Sequence, residues 1–180
     1  MAEVVAVFDA VWGSAPPVAS TELLTAVAHG GGYVAVARGA DGNAVGASLG
    51  LLAIHDGAPA LHSHATGLVA TARGTGVGRL LKLHQRSWAL ERGIEQIVWT
   101  FDPLVRRNAW FNLEVLGAEV REYLPAFYGA MSDAINAGDR SDRLLVAWDL
   151  RRPLPSIDEA ETRPPAGTTL VPTPSHVVEL

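Results

Sequence analysis

The sequence predicts an α+β fold, and three observations carry that reading. Helical periodicity opens the chain, strand-forming runs around glycine-containing turns follow, and a strand-helix-strand-helix-strand order closes it. The chain has 180 residues, 48% of them hydrophobic. That is enough to bury a substantial core, and about 100 to 200 residues is the usual size of one domain.

The elements follow in order. Val4, Val5, Phe8, Val11 and Trp12 have the spacing of a short amphipathic helix that stops at Gly13 and Pro16-Pro17. Ser20-Thr21-Glu22 caps a second helix running through Val27 and ended by Gly30-Gly31-Gly32. Tyr33 to Arg38 and Ala44 to Leu52 flank an Asp41-Gly42 turn and read as a hairpin. A further turn, Asp56-Gly57 with Pro59, leads into a strand holding His62 and His64. Val77, Leu80, Leu81, His84 and Trp88 then share one helical stripe ending at Gly93. After a strand at Gln96 to Phe101, Val105, Ala109, Leu113 and Leu116 form a second stripe ended by Gly117, and Leu144 to Leu150 is the last strand.

From Arg152 the composition changes, with six of the eleven prolines falling between Pro153 and Pro174. The predicted organisation is therefore a domain over residues 1–151 and a Pro-rich tail over 152–180. Pro153 to Gly167 reads as linker, because such a segment buries too little apolar area to offset its ordering entropy. Thr168 to Val171 and His176 to Leu180 carry β-branched and apolar residues suited to a sheet edge, in this chain or in a second copy; the alternative is a frayed terminus.

The stretch Arg73-Gly74-Thr75-Gly76-Val77-Gly78-Arg79 joins the strand to the long helix. Three glycines at alternate positions let the backbone approach a ligand, and the helix start aims unpaired N–H groups and a partial positive charge at an anion. The spacing excludes a Walker loop, which needs glycines five apart followed by Lys and Ser/Thr. It also excludes a dinucleotide fingerprint, whose third glycine would stand at position 79, which is Arg.

What remains, Arg-x-x-Gly-x-Gly followed by Leu80-Leu81, resembles the acetyl-CoA motif of the GCN5-related N-acetyltransferases (GNATs). His62 to Val69 resembles the fourth strand of that family, Gly76 to Arg92 its third helix, Gln96 to Phe101 its fifth strand and Arg106 to Gly117 its fourth helix. Trp99-Thr100-Phe101-Asp102-Pro103-Leu104, with Asn108-Ala109, Phe111-Asn112 and Leu116-Gly117, resembles a little-characterised bacterial branch of predicted acetyltransferases. The resemblance covers roughly residues 33 to 150. It implies a three-layer fold with a mixed, mostly antiparallel central sheet flanked by helices, splayed between the fourth and fifth strands. The family usually begins with a strand, and here that first strand is missing. The resemblance also implies acetyl-CoA, or another short acyl-CoA, as co-substrate. Its pyrophosphate would be held at Arg73, Gly74, Thr75, Gly76, Val77, Gly78 and Arg79, its thioester region by backbone groups of Leu68, Val69 and Ala70, and its pantetheine amides by Asn108. Relatives more often carry that asparagine at the position of Arg106.

Transfer of an acyl group to an amine needs a base for the amine, a donor for the oxyanion and an acid for the thiolate. His62 and His64 are the candidate bases. Unbroken alternation places them with Thr66 and Leu68 on one strand face, about 7 Å apart from roughly 3.3 Å per residue. Histidine titrates where such a base must, and the pair resembles paired histidines that deprotonate the amine in one enzyme of the family. The alternative is a structural role in a half-buried strand. The family's usual acid, a tyrosine, is replaced by Leu113, which leaves Tyr128, and less directly Tyr123, as candidate acids; the alternative for both is packing with a polar tip. Trp99 and Phe101 share a strand face and read as core, Asp102 before Pro103 as a helix cap, and Asp142-Arg143 as a surface pair or turn.

Other classes are excluded or disfavoured. His29, His55 and His176 have no ligand spacing, so no metal site is expected. The net charge of −5 argues against nucleic-acid binding. No apolar run approaches the 18 or so residues of a membrane span, and no cysteine is present. The expectation is a cytoplasmic acyl-CoA-dependent N-acyltransferase acting on a small-molecule amine or amino acid, with a homodimer as the candidate assembly. Without a cysteine to carry the acyl group, direct attack in a ternary complex is the simpler path. The competing reading is a CoA-binding sensor or accessory protein without transferase activity.

Overall fold

In the computed structural model, which describes residues 1–13, 17–129 and 141–156, helix ends fall where capping chemistry puts them. Helix α1 (Ala2–Trp12) stops at Gly13, whose left-handed backbone (φ 53°) returns its N–H to the Asp9 carbonyl. Helix α2 (Thr21–His29) starts at Ser20, whose hydroxyl accepts the Leu23 N–H at 3.2 Å. Strands β1 (Tyr33–Arg38) and β2 (Ala44–His55) pair antiparallel across the Asp41-Gly42 turn. Asp56 and Gly57, with φ of 50° and 75°, make the tight turn from β2 into β3 (Ala58–Leu68).

Helix α3 (Val77–Leu90), β4 (Gln96–Phe101), α4 (Arg106–Trp110), β5 (Glu119–Leu124) and β6 (Arg143–Asp149) complete the order. The end of α4 widens into one π turn over Phe111–Val115. The sheet runs β1-β2-β3-β4-β6-β5, antiparallel throughout except between β3 and β4. Val4, Val7, Phe8 and Leu24 of α1 and α2 pack with Ala47, Leu49 and Ala65 on one sheet face. Ala89 of α3 and Leu116 after α4 pack with Leu61, Ile97, Trp99 and Val146 on the other. This is the expected three-layer α+β architecture with a mixed, mostly antiparallel sheet. β1 stands at the edge of the sheet formed by the described residues.

Three expectations change. Strand β5 went unforeseen because Glu-Val-Arg-Glu-Tyr-Leu lies at the sheet edge, largely exposed, and so carries no apolar alternation. The buried face of α3 is Leu81, Lys82, Gln85 and Ala89, whereas Leu80 is exposed and the His84 hydroxyl partner is Tyr33, at 2.8 Å. The predicted apolar stripe is thus rotated from the true inner face, which contains two polar residues. Finally, Leu154 packs on the core and Pro155 lies against Gly117, so the start of the expected linker is docked on the domain. The remaining tail, including Thr168 to Val171 and His176 to Leu180, lies outside the described residues, as does Pro16. No described helix is long and apolar enough to cross a membrane.

Candidate active site

Strand β3 changes phase in its middle. Leu49 of β2 faces Ala65, but the next residue, Gly50, faces Ser63, so His64 is an extra residue without a partner, a β-bulge. Before the bulge, Leu61 and Ser63 face α3; after it, Thr66 and Leu68 do. Ser63 is bonded from Lys82, Thr66 bonds Ser48 at 2.8 Å, and Leu68 meets Leu81 around Gly46. Ala65 and Gly67 face α1, where Gly67 lies against Trp12. Unbroken alternation is therefore corrected: His62 and His64 do not share a face with Thr66 and Leu68. The two imidazoles lie together on the opposite face, with ring centroids 6.2 Å apart.

The same strand loses its neighbour at the same place. β3 pairs with β4 at Leu61↔Ile97 and His62↔Val98 only. Beyond those pairs the strands part, and among the described residues the backbone groups of β3 on that side have no strand partner. The V-shaped cleft so formed is the splay expected between the two parallel strands. Its β3 wall ends at Leu68; the Val69 N–H bonds the Val45 carbonyl at 3.0 Å and is not available as an oxyanion donor, which narrows the expected trio to Leu68 and Ala70.

The glycine loop lies just past that wall. Gly74 and Gly76 have φ of 78° and 88°, and a Cβ on either would meet nothing within 4 Å, so the surface there is open. Gly76 is the N-cap of α3. The first intrahelical bond runs from Leu80 N–H to Gly76 at 3.1 Å, which leaves the N–H groups of Val77, Gly78 and Arg79 without intrahelical acceptors. Arg73, Thr75 and Arg79 are exposed around them, and Asn108 is exposed in the first turn of α4. Unpaired N–H groups and the partial positive charge of a helix N-terminus favour an anion at such a place.

Burial lowers the pKa of His64 below the ordinary imidazole value; for His62, burial acts first and the charges of His64 and Lys82 add to it. Both rings are accordingly neutral near neutral pH, as a base must be. Tyr128 reaches the same side of the sheet: its hydroxyl bonds Thr100 at 3.1 Å, and Thr100 is two residues along β4 from Val98, the partner of His62. Tyr123 is held elsewhere, by Asp142. Trp99 and Phe101 are core, and Asp102 accepts the Leu104 N–H at 2.8 Å as a turn cap. Asp142-Arg143 is more than a surface pair, since Arg143 is buried with its guanidinium over the Tyr128 ring.

Sequence reasoning missed a buried polar network across the α3 face. Lys82 Nζ donates to Ser63 Oγ at 2.8 Å and to Gln85 Oε1 at 3.3 Å, and Gln85 bonds Ser48, which bonds Thr66. One signal was available: no Asp or Glu stands between Asp56 and Glu91, so a lysine folded into that region has no local carboxylate. Among the described residues no group of three or more His, Asp or Glu side chains converges as metal ligands do.

No protein-family profile matches the sequence, and no curated protein matches it. Solved structures do match. The ribosomal-protein-S18-alanine N-acetyltransferase from Escherichia coli superposes with a TM-score of 0.63 over 88% of this chain and 90% of that one, at 12% identity. Chaetomium thermophilum Naa20, in complex with a bisubstrate analogue, gives 0.61 over 81% and 80%, at 18% identity. A GNAT family acetyltransferase from Elizabethkingia anophelis with acetyl-CoA bound gives 0.58 over 72% and 83%, at 12% identity. At such identities the likeness is one of fold.

Proposed function

We propose that this chain, which has the fold of the GCN5-related N-acetyltransferases, moves an acetyl or other short acyl group from coenzyme A to a primary amine by direct attack in a ternary complex. The observation that carries this reading is the parting of β3 from β4 after His62 and Val98, beside the open Gly74–Gly76 cradle. The amide-bearing pantetheine arm pairs with the free edge of β3 as an added strand would. The pyrophosphate sits on the N–H groups of Val77, Gly78 and Arg79 with Arg73 and Arg79 beside it, and Asn108 contacts the pantetheine.

The acceptor enters from the face that carries the imidazoles. His64, the more exposed of the two, takes the amine proton and releases it to solvent, with His62 beside it, both rings being neutral at the start. The carbonyl oxygen, as it gains charge, is received by a backbone N–H on the free edge of β3 close to His64; Leu68 lies four residues, roughly 13 Å, farther along the strand, so it and Ala70 line the pantetheine instead. Tyr128 borders the acceptor side, its hydroxyl oriented by Thr100. The acceptor is a small-molecule amine or an amino acid. Peptide α-amines belong in the same screen, since one structural neighbour is named for an alanine of a ribosomal protein.

Calorimetric titration with acetyl-CoA and succinyl-CoA tests the reading without knowledge of the acceptor. Saturable binding that needs the pantetheine arm supports it, and a screen of amines for acylation follows. Equal affinity for nucleotides lacking that arm, or no binding by folded protein, overturns it. Tight binding with no amine ever acylated favours the sensor reading.

A further inference from the structure

Lys82 is buried on α3, 5% exposed, and none of the elements around it, β1 to β4 and α3 itself, contains an Asp or Glu. Its Nζ donates to Ser63 and Gln85 and stands 4.1 Å from the centroid of the Trp99 ring. Ser63 and Trp99 are the residues immediately after His62 and Val98, the last pair that holds β3 to β4. The amine therefore closes the vertex of the cleft from the α3 side, opposite the imidazoles. Ser63 accepts from Lys82, and its own hydroxyl proton has no acceptor among the described residues.

A buried cation without a counter-ion is costly, so a chain that keeps one at the vertex of a cleft keeps it for an anion or a proton. The proposed reaction generates both there: when the carbon–sulfur bond breaks, the electron pair leaves on sulfur. We propose that Ser63 protonates the departing coenzyme A thiolate and that Lys82 is the positioning residue that resupplies the Ser63 proton, in place of the tyrosine that Leu113 replaces. The balance is simple. The amine nitrogen bonds the acyl carbon and loses its proton to His64; the thiolate takes the Ser63 proton, Ser63 takes one from the Lys82 ammonium, and solvent restores both bases. Burial brings the Lys82 pKa down to about 7, which suits donation near neutrality. The titratable groups on the packed elements are His62 and His64 on β3, Tyr33 and Arg38 on β1, His55 on β2, and Arg79, His84 and Arg86 on α3; none is acidic apart from the phenol.

This inference rests on the acyltransferase reading, and thiol titration separates the two. Free coenzyme A is bound to the full chain, and thiolate formation is followed by ultraviolet absorbance against pH, referenced to the desulfo-coenzyme A complex. The expected result is a thiol midpoint in the native complex lower than in Lys82→Met by about one pH unit or more, a tenfold change in thiolate fraction. Ser63→Ala raises the midpoint likewise and decides the matter if Lys82→Met does not fold, while Tyr128→Phe leaves it in place. Equal midpoints in native, Lys82→Met and Ser63→Ala complexes, or a shift confined to Tyr128→Phe, overturn the inference with the binding site intact. Failure of coenzyme A to bind at all overturns the acyltransferase reading and the inference with it.

Discussion

Lys82 donates to Ser63 at 2.8 Å from the sheet face opposite His62, so the residues flanking the last β3–β4 pair carry ionisable groups on both sides of one layer. The lysine side of that arrangement has a thermodynamic signature independent of any substrate.

Burial lowers the Lys82 pKa from 10.5 to about 7. Between those values the unfolded chain binds more protons than the folded one, so stability rises with pH across that window, and below it the whole penalty stands. Lys82→Met removes the penalty. The variant is expected to be more stable than the native chain near neutral pH, by roughly 1 to 4 kcal/mol, with the gap closing as pH rises. Thermal melts over that range check it; parallel curves would mean that the amine is hydrated in solution.

In the proposed transfer the histidines act as the base, and the direction of their pKa shifts, downward by burial, fixes the expected pH dependence. A base must be neutral, so turnover rises with pH along a limb below the ordinary imidazole value and is flat at neutrality. His64→Ala should reduce turnover by about 10²- to 10⁴-fold with unchanged affinity for acetyl-CoA, and His62→Ala by less. Because the folded rings resist protonation, the contribution of both to stability falls away as pH drops through the unfolded imidazole value. An acid limb that survives His64→Ala unchanged would place the base elsewhere.

Gly76→Ala puts a side chain at φ 88° with no atom within 4 Å of its Cβ. The cost is backbone strain of about 1 to 2 kcal/mol, not collision, so the chain folds with a modestly lower melting temperature. Affinity for acetyl-CoA should fall about tenfold or more, because 1.4 kcal/mol lost in cradle geometry is a factor of ten. Calorimetry beside a melting curve separates the two effects.

Gly67→Ala acts differently. Its Cβ would lie 2.9 Å from the Trp12 ring, so α1 must move away from β3. A loss of about 1 to 3 kcal/mol is expected, read as a lower denaturation midpoint. Trp12→Ala in the same chain should relieve most of the added strain; if it does not, the contact is not what limits that position.

The local chemistry of the fold was legible in the sequence. Ser20 caps α2, Gly13 ends α1 and Asp56-Gly57 turns the chain because capping and positive φ are decided within a few residues. The left-handed Gly74 and Gly76 and the helix start behind them were legible for the same reason. The bulge at His64 was not, since nothing local announces an unpaired residue when both register choices leave alternating residues, and the histidines were accordingly assigned the wrong companions. Strand β5 stayed hidden because edge position, not apolar alternation, makes it a strand. Lys82 and Gln85 stayed hidden because hydrophobic periodicity assigns polar residues outward, whereas here tertiary hydrogen bonds bring them in.

The acid-free run from Gly57 to Leu90 also sets the charge of the cleft's own wall. It contains Arg73, Arg79, Lys82 and Arg86 and no carboxylate, in a chain of net charge −5, so the rest of the sequence sums to a more negative value than the whole. An anion seated at Gly74–Gly76 would meet two exposed guanidiniums, Arg73 and Arg79, and no carboxylate from the segment that holds it.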